Sequence, residues 1–86
     1  MAAEDEAVEA ALVFSGPTAL ARAFHITGEC GYSREIVASP AGGGPCGLAL
    51  AVAASEADDI RAVLAAYGVP PVRILPRARV AARGRQ

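Results

Sequence analysis

The chain has 86 residues, of which 53% are hydrophobic and 20% are charged, and its formal net charge is −1. This length fits one small domain with a single core, and the composition argues against a chain that is disordered through its middle. The near-neutral charge provides no overall field for a phosphate backbone, and the few aromatic residues cannot form a base-stacking platform. We therefore expect no nucleic-acid partner.

The N-terminal region does not resemble a secretory signal, because acidic residues precede the first apolar run. No apolar run approaches the ~20 residues needed to cross a bilayer. These patterns predict a cytoplasmic protein without a membrane partner, in which Cys30 and Cys46 stay reduced. Two cysteines without a C-x-x-C pair or clustered histidines favour neither a disulfide framework nor a metal site, and no cofactor is expected.

The first predicted secondary-structure elements are a buried strand over residues 10–14 and an amphipathic helix that follows it. Ser15 can cap this helix, or Pro17 can occupy its first turn. The apolar residues of the helix recur at helical spacing and are Leu20, Ala23, Phe24 and Thr27. The opposite polar stripe contains the only histidine, His25, which we expect to be solvated and not catalytic.

The end of this helix is predicted at one of two glycines, Gly28 or Gly31, and Gly31 is preferred. That choice places Cys30 in the last turn of the helix, where we expect a packed thiol. A more polar strand over residues 33–38 follows, and its composition is typical of a sheet edge.

The second half of the chain begins with a glycine- and proline-rich loop that delivers Cys46 to an alternating strand over residues 47–53. The larger side chains of this strand are predicted to face the helices, and they are Leu48, Leu50 and Val52. A second helix is predicted from a capping-box-like start at Ser55 to Gly68. Its apolar face is predicted to consist of Ala57, Ile60, Leu64 and Tyr67.

A fourth strand is predicted over residues 72–75 and is ended by Pro76. The chain is thereby divided into a flexible leader (residues 1–8), one domain (residues 9–76) and a basic tail (residues 77–86) that we expect to be disordered. The order of the elements predicts an α+β fold, the ferredoxin-like βαββαβ sandwich. In this fold a four-stranded antiparallel sheet carries both helices on one face.

This topology makes the first and third strands antiparallel neighbours, so Cys46 is expected beside the start of the first helix. Cys46 shares parity with the helix-facing leucines of its strand, which directs its sulfur toward the helix N-terminus. The groups expected to support an anion there are Ser15, Gly16, Thr18 and Gly47. Free amides and the helix dipole favour a thiolate, or a bound persulfide or selenide. Cys30, at the other end of the helix, lacks this advantage.

Short motifs between residues 11 and 75 resemble the selenium/sulfur carrier protein-like family of small domains. The matching residues are Val13-Phe14-Ser15-Gly16-Pro17-Thr18-Ala19-Leu20, then Gly31, Arg34 and Pro40, and finally Cys46-Gly47-Leu48-Ala49-Leu50. The family's cysteine falls on Cys46, so the resemblance implies a chalcogen-carrying role for this residue. The segment before it differs, because it reads Ala41-Gly42-Gly43-Gly44-Pro45 where the family tends to have arginine and serine.

The sequence therefore favours a small non-catalytic carrier that holds sulfur or selenium on Cys46 for transfer between donor and acceptor proteins. The alternative is a regulatory or protein-interaction module that binds a small ligand or forms a homodimer through its open sheet face or an edge. A third interpretation is redox sensing by Cys46, with Cys30 as the resolving thiol. We expect no enzyme, because no histidine is placed beside a nucleophile and no carboxylate pair or phosphate loop is present.

Overall fold

The structure, a computed structural model, describes residues 8–39 and 47–78. These residues form β1 (Val8–Val13), α1 (Pro17–Glu29), β2 (Glu35–Ala38), β3 (Leu48–Ala53), α2 (Ala57–Ala66) and β4 (Arg73–Ala78). The strands form one sheet in the order β2-β3-β1-β4, and every neighbouring pair is antiparallel. The predicted ferredoxin-like βαββαβ layout is confirmed.

Both helices pack on one face of the sheet because their apolar stripes match the large side chains of the central strands. Leu12 and Leu50, which are directly opposite in the register of β1 and β3, are fully buried. The residues of the helices that pack in the same core are Leu20, Ala23, Ala57, Ile60 and Leu64. The predicted helix-facing side of β3 is thus confirmed for Leu50 and Val52, whereas Leu48 lies on that side but is 41% exposed.

The other face of the sheet carries a smaller apolar cluster. Ala11, Val13 and Ala49 form it, and the edge residues Val37 and Leu75 pack against it. The alternating sequence of β3 led us to expect a dimer contact through Ala49, Ala51 and Ala53, but Ala49 and Ala51 are 0% and 3% exposed, and only Ala53 at the end of the strand is exposed. Because Ala49 and Ala51 are already buried within one chain, they offer a second molecule little surface.

Helix α1 begins at Pro17, whose missing N–H costs nothing at this position. Of the two predicted ways to start this helix, Pro17 in the first turn is confirmed, whereas Ser15 does not cap it, because the N-cap is Gly16 with extended backbone. At the other end Cys30 is the C-cap, and Gly31 follows in the left-handed region with φ of +91°. The preferred stop at Gly31 is therefore confirmed.

The second half differs from the sequence prediction at three places. Ser55 lies in a short 3-10 turn, Ala54–Glu56, and caps neither this turn nor α2. Tyr67 follows the last turn of α2 and is 56% exposed, so it is not a core residue. Strand β4 continues through Pro76 to Ala78, since an edge strand tolerates a residue without an N–H. Val8 of the predicted leader lies in β1, and Arg77 and Ala78 of the predicted tail lie in β4; the rest of the leader and tail lies outside the described residues.

Arg34 connects the end of α1 to the start of β2. Its Nε donates a hydrogen bond to the carbonyl of Phe24 at 2.9 Å, and its guanidinium carbon lies 3.8 Å from the centre of the Phe24 ring. Gly28 makes room for this arrangement, because a Cβ at that position would collide with the guanidinium group. These contacts fix the direction in which the chain leaves the helix layer and enters the edge strand.

Candidate functional site at one end of the sheet

Three chain segments that the sequence analysis singled out meet at the same end of the sheet. The register of β1 and β3 pairs Leu12 with Leu50, so the end of β1 lies beside the start of β3. The turn into α1 follows β1 at this end, and Gly47 precedes β3 there. The β2–β3 hairpin is also closed here, by a backbone hydrogen bond from the Ser39 amide to the Gly47 carbonyl (3.0 Å).

The N-terminus of α1 has no side-chain cap and no acidic residue in its first turn. The first intrahelical hydrogen bond runs from the Leu20 amide to the Gly16 carbonyl at 3.1 Å. The amides of Thr18 and Ala19 precede it and are therefore available as donors. Ser15 and Thr18 are exposed, and Gly16 is half-buried. This helix end can accept an anion by both its N–H groups and its dipole.

Gly47 is the described residue closest in sequence to the predicted reactive cysteine. It is exposed and adopts φ of +69°, a left-handed conformation that glycine accepts without strain. Cys46 itself and the preceding residues 40–45 lie outside the described residues. The expected placement of the Cys46 thiol at the α1 N-terminus thus stays a prediction, derived from the position of Gly47.

Ser39 is a residue of this region that the sequence analysis did not single out. It is 8% exposed, and its hydroxyl oxygen is buried without a hydrogen-bond partner among the described residues. Burial of an unpaired hydroxyl costs ~1–3 kcal/mol. In sequence Ser39 is only the first residue of a polar loop, and no pattern separates a buried loop serine from a solvated one.

The second cysteine has a different environment from the one we expected. Cys30 is exposed as the C-cap of α1, so the prediction of a packed thiol is wrong. The reason is that the apolar stripe of α1 has already ended: Thr27 is its last buried residue. Cys30 lies at the helix end opposite to Gly16, so the structure does not bring it to the candidate site.

His25 is solvated, as predicted. Its Nε2 lies 3.1 Å from a carboxylate oxygen of Glu29 one turn along α1, and both side chains are largely exposed. An exposed pair of this kind contributes little to stability. His25 also lines an open depression of about 370 Å³ on the helix layer, together with Ala21, Arg22, Ile26 and Tyr67.

Two further findings concern the described part of the chain. In residues 8–39 and 47–78, no three histidine, cysteine, aspartate or glutamate side chains lie close enough together to hold a metal ion. None of the helices in these residues is long and apolar enough to cross a membrane.

Comparison with known proteins adds no family to this description. No family model, no curated protein and no solved structure matches the chain at a significant level. The likeness to selenium/sulfur carrier-like domains accordingly stays a prediction from the short motifs around Ser15 and Cys46.

Proposed function

We propose that this protein is a small non-catalytic carrier that holds a sulfur or selenium atom on Cys46 and passes it to an acceptor protein. The observation that supports this proposal most is the uncapped N-terminus of α1 at the sheet end where Gly47 precedes β3. A terminal persulfide or selenide is an anion, and donors without a side-chain partner at a helix N-terminus stabilise an anion.

The transfer needs a donor protein that carries a persulfide or selenosulfide. The Cys46 thiolate attacks the outer chalcogen atom of the donor, and a new bond forms between the Cys46 sulfur and this atom. The bond within the donor breaks, and its cysteine leaves as a thiolate. The acceptor repeats the step on Cys46, so the carrier returns to its free thiolate without net oxidation or reduction.

The direct test is the intact mass of the full chain purified from its native host without reductant. We expect a fraction of the protein to carry one additional sulfur or selenium atom, located on the Cys46 peptide. Cys46→Ser should remove the adduct and Cys30→Ser should retain it. An unmodified chain, or an adduct that follows Cys30, would contradict the proposal.

The alternative function is a protein-interaction or regulatory module. Its specific support is the exposed apolar surface at the β2 edge, where Ile36 is 42% and Leu48 is 41% exposed. A module of this kind binds its partner equally well after Cys46→Ser, whereas a carrier loses its cargo. The mass measurement and a binding measurement on the same variant therefore separate the two functions.

A further inference from the structure

The outer edge of β2 combines exposed apolar side chains with backbone groups that no described strand pairs. Ile36 and Leu48 are two of the four large hydrophobic residues exposed in the described part of the chain. They lie near each other on the helix-bearing side of the sheet, since Ile36 is opposite Leu50 and Leu48 is opposite Ala38. The two others, Tyr67 and Val72, belong to other segments.

The backbone of β2 shows which groups point away from the sheet. Ser39 and Gly47 are directly opposite and hydrogen-bonded, so by alternation Val37 and Glu35 also bond to β3. The N–H and C=O groups of Ile36 and Ala38 consequently point outward. No described strand lies beyond β2, which is the last strand of the sheet on this side.

The two edges of the sheet differ in how they are protected. At the other edge, β4 contains Pro76 and begins with an exposed arginine, Arg73, and both features oppose edge-to-edge pairing. Strand β2 contains no proline, and its one charged residue, the exposed Glu35, lies at its first position. Of the two edges in the described residues, the β2 edge is therefore the better suited to accept another strand, because it lacks a proline.

We propose that β2 pairs with β2 of a second copy, in antiparallel orientation about a two-fold axis at Val37. The outward N–H and C=O groups of Ile36 then form two hydrogen bonds with those of Ala38 in the second copy. By symmetry, Ala38 forms the same two hydrogen bonds with Ile36 of the second copy. This register continues the sheet across two molecules with four additional backbone hydrogen bonds. The inference is independent of the chalcogen-carrier proposal.

Three features of the chain fit this register. Ile36 comes to lie near Leu48 of the second copy, with the small side chain of Ala38 between them, so both exposed residues become buried. Val37 faces Val37 of the second copy across the axis, so that two apolar side chains form a cross-strand pair. Glu35 faces the uncharged Ser39, so the two glutamates of the dimer are not opposed.

The experiment is sedimentation of the full chain over a range of concentrations, with Ile36→Lys compared to Val72→Lys. Val72 is 58% exposed and lies just before β4, so it controls for the loss of exposed apolar surface. An edge contact buries less than the ~1,200–2,000 Å² of a stable interface, so we expect a weak dimer with a dissociation constant in the micromolar range. Ile36→Lys should raise this dissociation constant about tenfold or more, and Val72→Lys should leave it unchanged.

A crosslink tests the register itself, in a background of Cys30→Ser and Cys46→Ser with oxidised glutathione as oxidant. Val37→Cys should form a disulfide-linked dimer, because a non-hydrogen-bonded pair holds its Cα atoms ~4.5 Å apart. Glu35→Cys should not form this disulfide, since the Cα atoms of residue 35 in the two chains of the dimer lie ~13 Å apart. A chain that is monomeric at every concentration, as expected if the edge binds another protein, would overturn the proposal. The proposal would also be overturned if Val37→Cys and Glu35→Cys crosslinked equally. The same holds if Ile36→Lys and Val72→Lys changed the dissociation constant equally.

Discussion

At the scale of single residues, the buried hydroxyl of Ser39 is an energetic cost within the described structure. Its oxygen has no partner, although the residue is 8% exposed. We expect Ser39→Ala to increase the free energy of unfolding by ~1 kcal/mol, because the substitution removes an unpaired polar group and leaves the backbone bond to Gly47 intact. Urea denaturation at low protein concentration measures this change.

Ser33→Ala is the matched control, since Ser33 is exposed and its substitution should leave stability unchanged. A loss of stability in Ser39→Ala would mean that the hydroxyl is paired in solution. In that case Ser39 would become a candidate donor of the site at this end of the sheet.

At the scale of secondary-structure elements, the regular spacing of apolar residues predicted correctly which side chains pack in the core. The stripe of α1 was predicted correctly because Leu20, Ala23 and Thr27 must face the sheet. The ends of elements were predicted less well. Tyr67 continues the helical spacing of α2, but Gly68 follows with φ of +82° and the chain leaves the helix before Tyr67 is covered.

The contact of Arg34 with α1 could not be predicted, because Arg34 lies beyond the end of the helix and no periodic pattern relates it to Phe24 and Gly28. It can be tested by a double-mutant cycle. Arg34→Ala should lower the free energy of unfolding by ~1–2 kcal/mol, because a hydrogen bond and a cation–π contact are lost. In this background, Gly28→Ala should increase stability by ~0.5–1 kcal/mol, the usual advantage of alanine over glycine in a helix.

With Arg34 present, Gly28→Ala should increase the free energy of unfolding by less, or should lower it, since the new Cβ displaces the guanidinium group. Arg22→Ala provides the matched arginine control, because Arg22 is exposed on α1 and should show no coupling to Gly28. If Gly28→Ala changed the free energy of unfolding equally in the presence and absence of Arg34, the Arg34 side chain would not occupy the space beside Gly28.

At the scale of the whole molecule, the candidate site is a consequence of topology. Ser15 and Gly47 are far apart in sequence, and the antiparallel pairing of β1 with β3 brings their segments to one end of the sheet. This could be predicted because the order of elements is that of the ferredoxin-like fold, in whose usual strand order β1 and β3 are neighbours. The buried state of Ser39 and the exposed state of Cys30 depend on where side-chain packing ends, which the order of elements does not specify.

At this end of the molecule we expect Cys46, and not Cys30, to be the reactive thiol. The N-terminus of α1 should lower the pKa of Cys46 below that of a free cysteine, so Cys46 should be alkylated faster at neutral pH. A helix terminus contributes ~0.3–1 kcal/mol at an exposed site, which corresponds to a roughly two- to fivefold larger thiolate population. Alkylation rates against pH in Cys30→Ser and Cys46→Ser measure each thiol separately.

Thr18→Asp tests whether the helix terminus is the cause. A carboxylate in the first turn of α1 competes with the thiolate, so it should raise the pKa of Cys46 and slow its alkylation roughly two- to fivefold at neutral pH. Ala62→Asp adds the same charge at an exposed position of α2 and should leave the rate unchanged. If Cys46 titrates at or above the value of a free cysteine, or if Cys30 reacts faster, the carrier proposal loses its chemical basis. The interaction-module alternative would then replace it.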